Sequence, residues 1–194
     1  DRNFLIHDYF FAKGIDKVRP GGLLVFITSK GTLDKIDGSL RDYLHERADL
    51  VGAIRLPNTA FKQNANTEVT TDIVFLRKRV ADEQPNGPAW LNLAEHVNRG
   101  GVSFRINEYF ATNPHMMLGH MTNAGTMYRS NEPALAPDGR ELAKALREAI
   151  TSLPQSIYQA APIATKRETA DAIIAPDDVK ENAFALHDGM ITIR

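Results

Sequence analysis

The stretch that most constrains this chain runs from Asp49 to Arg79, DLVGAIRLPNTAFKQNANTEVTTDIVFLRKR. Leu50 to Leu56 is an apolar, β-branched run that stops at Pro57, and Asp72 to Arg77 is a second such run. Both are short enough to be strands. Between them lies NTAFKQNANTEVT, a polar loop, and any function of this region sits there. Its one aromatic, Phe61, stands among Asn, Thr, Gln and Lys side chains that give a packed core little reason to hold it. Two readings of Phe61 stay open: a loop hydrophobe folded back on the sheet edge, or a stacking platform for a ligand ring.

Upstream, Phe4, Ile6, Phe10, Phe11, Ile15 and Val18 recur at spacings of three to four, the period of an amphipathic helix packed by one face on a sheet. Arg19-Pro20-Gly21-Gly22 stops it, since proline disfavours helix in the residue before it and glycine accepts left-handed backbone. Leu23 to Thr28 is a continuous apolar run, which suits a strand covered on both faces. Ser29-Lys30-Gly31 marks its carboxyl end. Ligands collect beyond such ends in open parallel sheets, so Thr28, Ser29 and Lys30 are candidates by position, with a simple polar turn as the alternative. A second helix is predicted over 38–47, with Leu40, Tyr43 and Leu44 inward and Asp37 or Ser39 as N-cap. Helix, strand, helix, strand, loop, strand is the order of the latter half of a layered α/β domain.

Composition narrows the function classes. With 194 residues, 43% of them hydrophobic, the chain can bury one ordinary core and a smaller appendage. A net charge of -1 advertises no nucleic acid, so such a contact needs a local basic patch or another part of a larger protein. The absence of cysteine excludes disulfides and thiolate metal sites and fits a reducing, cytoplasmic setting. No apolar run approaches membrane-spanning length, so no membrane partner is expected. The chain opens on Asp1-Arg2-Asn3 and leads at once into an apolar pattern, which reads as a piece of a longer polypeptide.

Residues 4 to 79 resemble the C-terminal half of the catalytic domain of adenine-N6 DNA methyltransferases, found in restriction-modification systems and in large methylase-helicase fusion proteins. The resemblance rests on Phe10 before Arg19-Pro20-Gly21-Gly22, on Arg41-Asp42-Tyr43-Leu44, on Leu56-Pro57, on Phe61 in its loop, and on Thr71 before the run from Ile73 to Lys78. It implies the latter half of a Rossmann-like, class I methyltransferase sheet whose final strand inserts antiparallel. Further implications are an extruded adenine stacked on Phe61, DNA contacts from Lys62, Asn66, Thr67, Ser29 and Lys30, and Phe10 at the edge of an S-adenosylmethionine pocket. The glycine-rich cofactor loop, the acidic ribose contact and the Asn/Asp-Pro-Pro-aromatic motif of that family do not occur in this sequence. Asn113-Pro114-His115 lacks the second proline. The fragment is therefore expected to be inactive alone, with DNA and the remaining N-terminal half or a fused helicase part as partners, and with self-association where apolar surface is left open.

The domain expectation is a methyltransferase-like half over 1–80, a linker over 81–88 (ADEQPNGP), and a smaller α+β connector over 89–194. There the resemblance is looser, resting on Asn107 to Phe110 and Asn113 to Gly119. Trp90, Leu91, Leu93 and Val97 read as core. His115 and His120, five apart with no acidic or third histidine partner, make a poor metal site. Gly125 to Arg129 reads as a basic, aromatic surface for nucleic acid or as a tucked loop. Glu141 to Leu153 is the clearest helix, with Leu142, Ala145, Leu146, Ala149, Ile150 and Leu153 on one face. Residues 155–176 are loose or linking in character, and 183–194 alternate around Asp188-Gly189 as a hairpin. Two functions follow: the base-binding half of an adenine-N6 methyltransferase, or a non-catalytic DNA-binding or protein-interaction module of degenerate methyltransferase architecture.

Overall fold

The computed structural model describes residues 5–125, 131–155, 157–158, 184–187 and 190–193. The chain forms two compact units, residues 1–160 and 161–194.

In the first unit, helix α1 (Ile6–Lys17) ends where the Arg19 to Gly22 turn begins. Gly21 takes a left-handed φ of 73°, which glycine adopts without strain, and its N–H donates to the Lys78 carbonyl at 2.8 Å. Strand β1 (Leu23–Ser29) follows, then a single turn of helix α2 (Gly31–Asp34) that sequence periodicity did not announce, then α3 (Ser39–His45) and β2 (Ala48–Leu56). The N-cap of α3 is Gly38, with no side-chain cap bond, so neither Asp37 nor Ser39 takes the expected capping position; the Ser39 N–H donates to the Asp37 carboxylate at 2.9 Å from outside the helix. After the loop comes α4 (Lys62–Ala65) and β3 (Thr71–Lys78).

The sheet order is β1-β3-β2. β3 is antiparallel to both neighbours, so β1 and β2 run parallel to one another. All three strands share one sheet, antiparallel at both pairings, with the last inserted between the other two, as the resemblance implied. The register puts Leu24, Phe26 and Thr28 opposite Leu76, Val74 and Asp72, and Leu50, Ala53 and Arg55 opposite the same three. On this face Phe11 of α1 meets Phe26 edge to face at 4.9 Å. Arg41 and Leu44 of α3 are buried with it; the Arg41 guanidinium donates to the carbonyls of Leu91, Leu33 and Lys35.

Two expectations are corrected. The buried face of α1 is Asp8, Phe11, Ala12 and Ile15, whereas Ile6 and Phe10 are 75% and 57% exposed, because the helix rotates Asp8 inward to pair with Lys35. β1 is covered on one face only: Val25 and Ile27 are 46% and 58% exposed; among the described residues β1 is also an edge strand, paired with β3 alone.

Residues 81–88 are irregular and tied to β2, the Asn86 N–H donating to Asp49 at 3.0 Å; Asp49 also accepts from Arg77 and Arg79. A hairpin of β4 (Leu93–Val97) and β5 (Ser103–Asn107), helix α5 (Glu108–Thr112), a 3-10 turn (Pro114–Met116), a hairpin of β6 (His120–Gly125) and β7 (Glu132–Ala136), and α6 (Leu142–Thr151) complete the unit. Trp90 is buried as expected, but Val97 is 56% exposed. In α6, Ala145 and Ala149 are buried and Leu142 and Leu146 pack against the core, while Ile150 faces outward. The register shifts between Leu50 and Gly52, and a Cβ at Gly52 would meet Leu153 at 2.5 Å and the Tyr109 hydroxyl at 2.9 Å, so a larger residue there must displace those side chains. No described helix is long and apolar enough to cross a membrane.

In the second unit β8 (Phe184–His187) and β9 (Met190–Ile193) pair antiparallel, the two arms of the expected hairpin. Its Asp188-Gly189 turn, Thr126 to Arg129, and nearly all of 155–176 lie outside the described residues.

Candidate functional site

The carboxyl ends of β1 and β2 meet the start of β3, and the register puts Thr28, Asp72 and Arg55 in one row across the three strands. Arg55 is fully buried. Its Nε and Nη2 donate to the two Asp72 carboxylate oxygens at 2.8 and 2.9 Å, a bidentate geometry that suits the planar guanidinium. Nη2 also donates to Asp34 at 2.9 Å, and Nη1 lies 2.8 Å from the other Asp34 oxygen. The Phe110 ring stacks on the guanidinium at 4.2 Å. Asp34 further accepts from the Asn107 N–H at 2.9 Å, and the Asn107 amide donates to the Leu33 and Trp90 carbonyls.

Burial alone would pull the Arg55 pKa down, but the two carboxylates outweigh it and hold the group above its ordinary value. Burial likewise pushes Asp72 up, against the opposing pull of Arg55. This is a paired ionic floor, not an open site, and it locks β2, β3, α2 and β5 together.

The loop from Pro57 to Thr70 rises from that floor and is pinned at both ends by one residue of β7. The Asn58 N–H donates to the Leu135 carbonyl at 2.8 Å, and the Leu135 N–H donates to the Thr70 hydroxyl at 2.9 Å. The Thr70 carbonyl in turn accepts from the Lys30 N–H at 3.0 Å. Inside the loop, Phe61 precedes α4, and Asn66 ends it in the left-handed region at φ 48°, a conformation Asn tolerates better than most residues. Lys62 pairs with Glu68 at 2.5 Å across the turn.

Phe61 is half-buried, one side packed against the core, so the bland reading accounts for part of the ring and the remainder is open. Lys62 and Asn66 are exposed and Thr67 half-buried. Ser29 and Lys30 line a small cavity of about 110 Å³ with Glu68, Thr70 and Glu132, and the Lys30 ammonium lies 3.1 Å from Glu132. The structure therefore brings Ser29 and Lys30 to the second half of the loop. Phe61, Lys62 and Asn66 lie earlier in the loop than Glu68 and do not line that cavity. Phe10 sits apart on α1, edge to face with Tyr9 at 5.7 Å.

Sequence reasoning missed Arg55, Asp72 and Asp34, and the partnership of Lys30 with Glu132. The first two carried a signal: each puts a charge next to the apolar residues of a strand run, which a buried strand accepts only when paired. Among the described residues no group of three or more His, Asp or Glu side chains could hold a metal.

No family model matches the chain. It is 35% identical over 78 residues to Defense against restriction protein B of Escherichia phage P1, a match covering 38% of this chain and 3% of that protein. The chain thus spans a small fraction of the length of this relative. A solved structure from Listeria monocytogenes, described as a class I S-adenosylmethionine-dependent methyltransferase, matches with 26% identity and a TM-score of 0.37, over 44% of this chain and 26% of that one.

Proposed function

We propose that this chain is the target-base half of a DNA adenine-N6 methyltransferase, with Phe61 as the surface on which an extruded adenine stacks. The observation that carries the reading is the pairing of an antiparallel β3 between β1 and β2 with a polar, Phe-bearing loop pinned at both ends where those strands finish. Base extrusion costs a few kcal/mol of unstacking, and a half-open ring on a braced loop can return part of it at little ordering cost. Lys62, Asn66 and Thr67 would contact backbone or base edges beside it. The phage relative's name connects that protein with defence against restriction.

S-adenosylmethionine would be the methyl donor of the complete enzyme. The residues here do not fit a pocket for it: Phe10 and Tyr9 offer one exposed aromatic wall, and the family's cofactor motifs are not in the sequence. The open edge of β1 is where the upstream strands of such a domain would pair, and the exposed Val25 and Ile27 lie on the face its helices would cover.

A second reading, a DNA-positioning module without chemistry, is favoured by the packing of part of Phe61 against the core. Duplex DNA carrying 2-aminopurine at an adenine position separates the two. Binding of the chain should raise its fluorescence as the base leaves the stack, and Phe61→Ala should abolish the rise. Binding without any fluorescence change would favour the module and defeat the base-stacking role.

A further inference from the structure

A cavity of about 870 Å³ opens between the β4–β5 turn, the 3-10 turn after α5, and the segment following β7. Four basic side chains line it: Arg99, His115, His120 and Arg140. They face one carboxylate, Asp138, which already accepts from Arg140 at 2.8 Å. Arg99, His115 and His120 are exposed. Arg99 stands on a turn whose backbone is fixed in advance: the Asn98 side-chain oxygen accepts from the Gly100 and Val102 N–H groups at 2.9 and 3.0 Å. The Asn98 amide is itself anchored to the Met121 carbonyl at 2.9 Å.

The basin shares both supports of the base loop. Met117, in its floor, bridges Arg55, and the Leu118 N–H donates to the Arg55 carbonyl at 2.9 Å, one residue before the loop's Leu56-Pro57 start. On the opposite wall, Pro137 and Asp138 continue from β7, whose Leu135 holds both loop ends. Two guanidinium and two imidazole groups beside a single, already paired carboxylate are the donor set a phosphodiester backbone requires.

We infer that this basin carries the sugar-phosphate backbone of the DNA strand adjacent to the base loop. The inference rests on the DNA reading above but uses different residues, so the two can fail separately. The test is fluorescence anisotropy of the full 194-residue chain with a labelled duplex across a salt series. Each phosphate contact contributes close to one unit of slope in the logarithm of affinity against the logarithm of salt. Arg99→Ala with Arg140→Ala should therefore flatten the slope by about two. Arg99→Lys with Arg140→Lys should keep most of it, which also guards against misfolding of the alanine variant. Lys17→Ala, on the exposed side of α1, should leave it unchanged.

An unchanged slope in the alanine variant overturns the basin, and the base loop survives if Phe61→Ala still removes the 2-aminopurine signal. A flattened slope with that signal untouched by Phe61→Ala keeps the basin and removes the base-stacking role. Absence of salt-dependent DNA binding by the full chain overturns the basin outright.

Discussion

The floor at the carboxyl ends of β1 and β2 and the loop that follows β2 draw on similar side chains and use them in opposite ways. In the floor, Arg55, Asp72 and Asn107 are fully buried, joined to Asp34 and spent on one another. In the loop, Lys62, Asn66 and their neighbours face solvent, and the backbone is what is tied down, through Leu135 and Lys30. Polar groups whose bonds are all internal specify the fold. Polar groups that face solvent on a backbone tied down beneath them can exchange a surface partner for a ligand.

The comparison can be broken most forcefully at Arg55. Arg55→Met leaves the buried Asp72 and the nearly buried Asp34 without their cation, which should cost about 3 to 5 kcal/mol and lower the melting temperature by roughly 10 °C or more. Adding Asp72→Leu should recover part of the loss, since the two sites couple; calorimetric melting of both variants checks it, and additive losses would mean the floor is no network.

In the loop, Asn66→Ala forces a β-carbon residue that lacks the Asn side chain into the left-handed region. It should cost about 1 kcal/mol, with Asn66→Gly close to neutral. Breaking the half-buried pair with Glu132→Gln should cost no more than about 1 kcal/mol, so a larger fall in urea unfolding would move Lys30 from the loop class to the floor class. On the flank of β1, Ile27→Lys should leave stability nearly unchanged while reducing self-association in sedimentation at high concentration. A wild-type chain that sediments as a monomer throughout would contradict the open edge as a pairing surface.

The three strands were legible because apolar, β-branched runs of strand length bounded by Pro57 and by Gly21-Gly22 leave few alternatives. Which face of β1 would stay open was not: a run such as LLVFIT states that burial is favourable but not which neighbours supply it, so Val25 and Ile27 read like Leu24 and Phe26. The helix face failed at Asp8 for a related reason, because its pairing with Lys35 is a tertiary fact that periodicity does not carry. The ionic floor left a mark in the sequence, a charge near the end of each of two apolar strand runs, Arg55 and Asp72. The Lys30–Glu132 pair, 102 residues apart, left none. Phe61 was visible as an anomaly in a polar loop, and its half-burial explains why composition could not choose between packing and stacking.

The central claim, that Phe61 is held out by a braced loop for a base and not for the core, is tested most directly by measuring Phe61→Ala twice: melting temperature, and 2-aminopurine fluorescence on duplex DNA. The account predicts loss of the base signal, with affinity for that DNA weakened by about 1 to 3 kcal/mol of stacking, roughly ten- to hundredfold, and a stability cost well under that of a core phenylalanine. A fall of about 3 to 5 kcal/mol in stability, as for a buried Phe truncation, with the base signal unchanged per folded molecule, would contradict it.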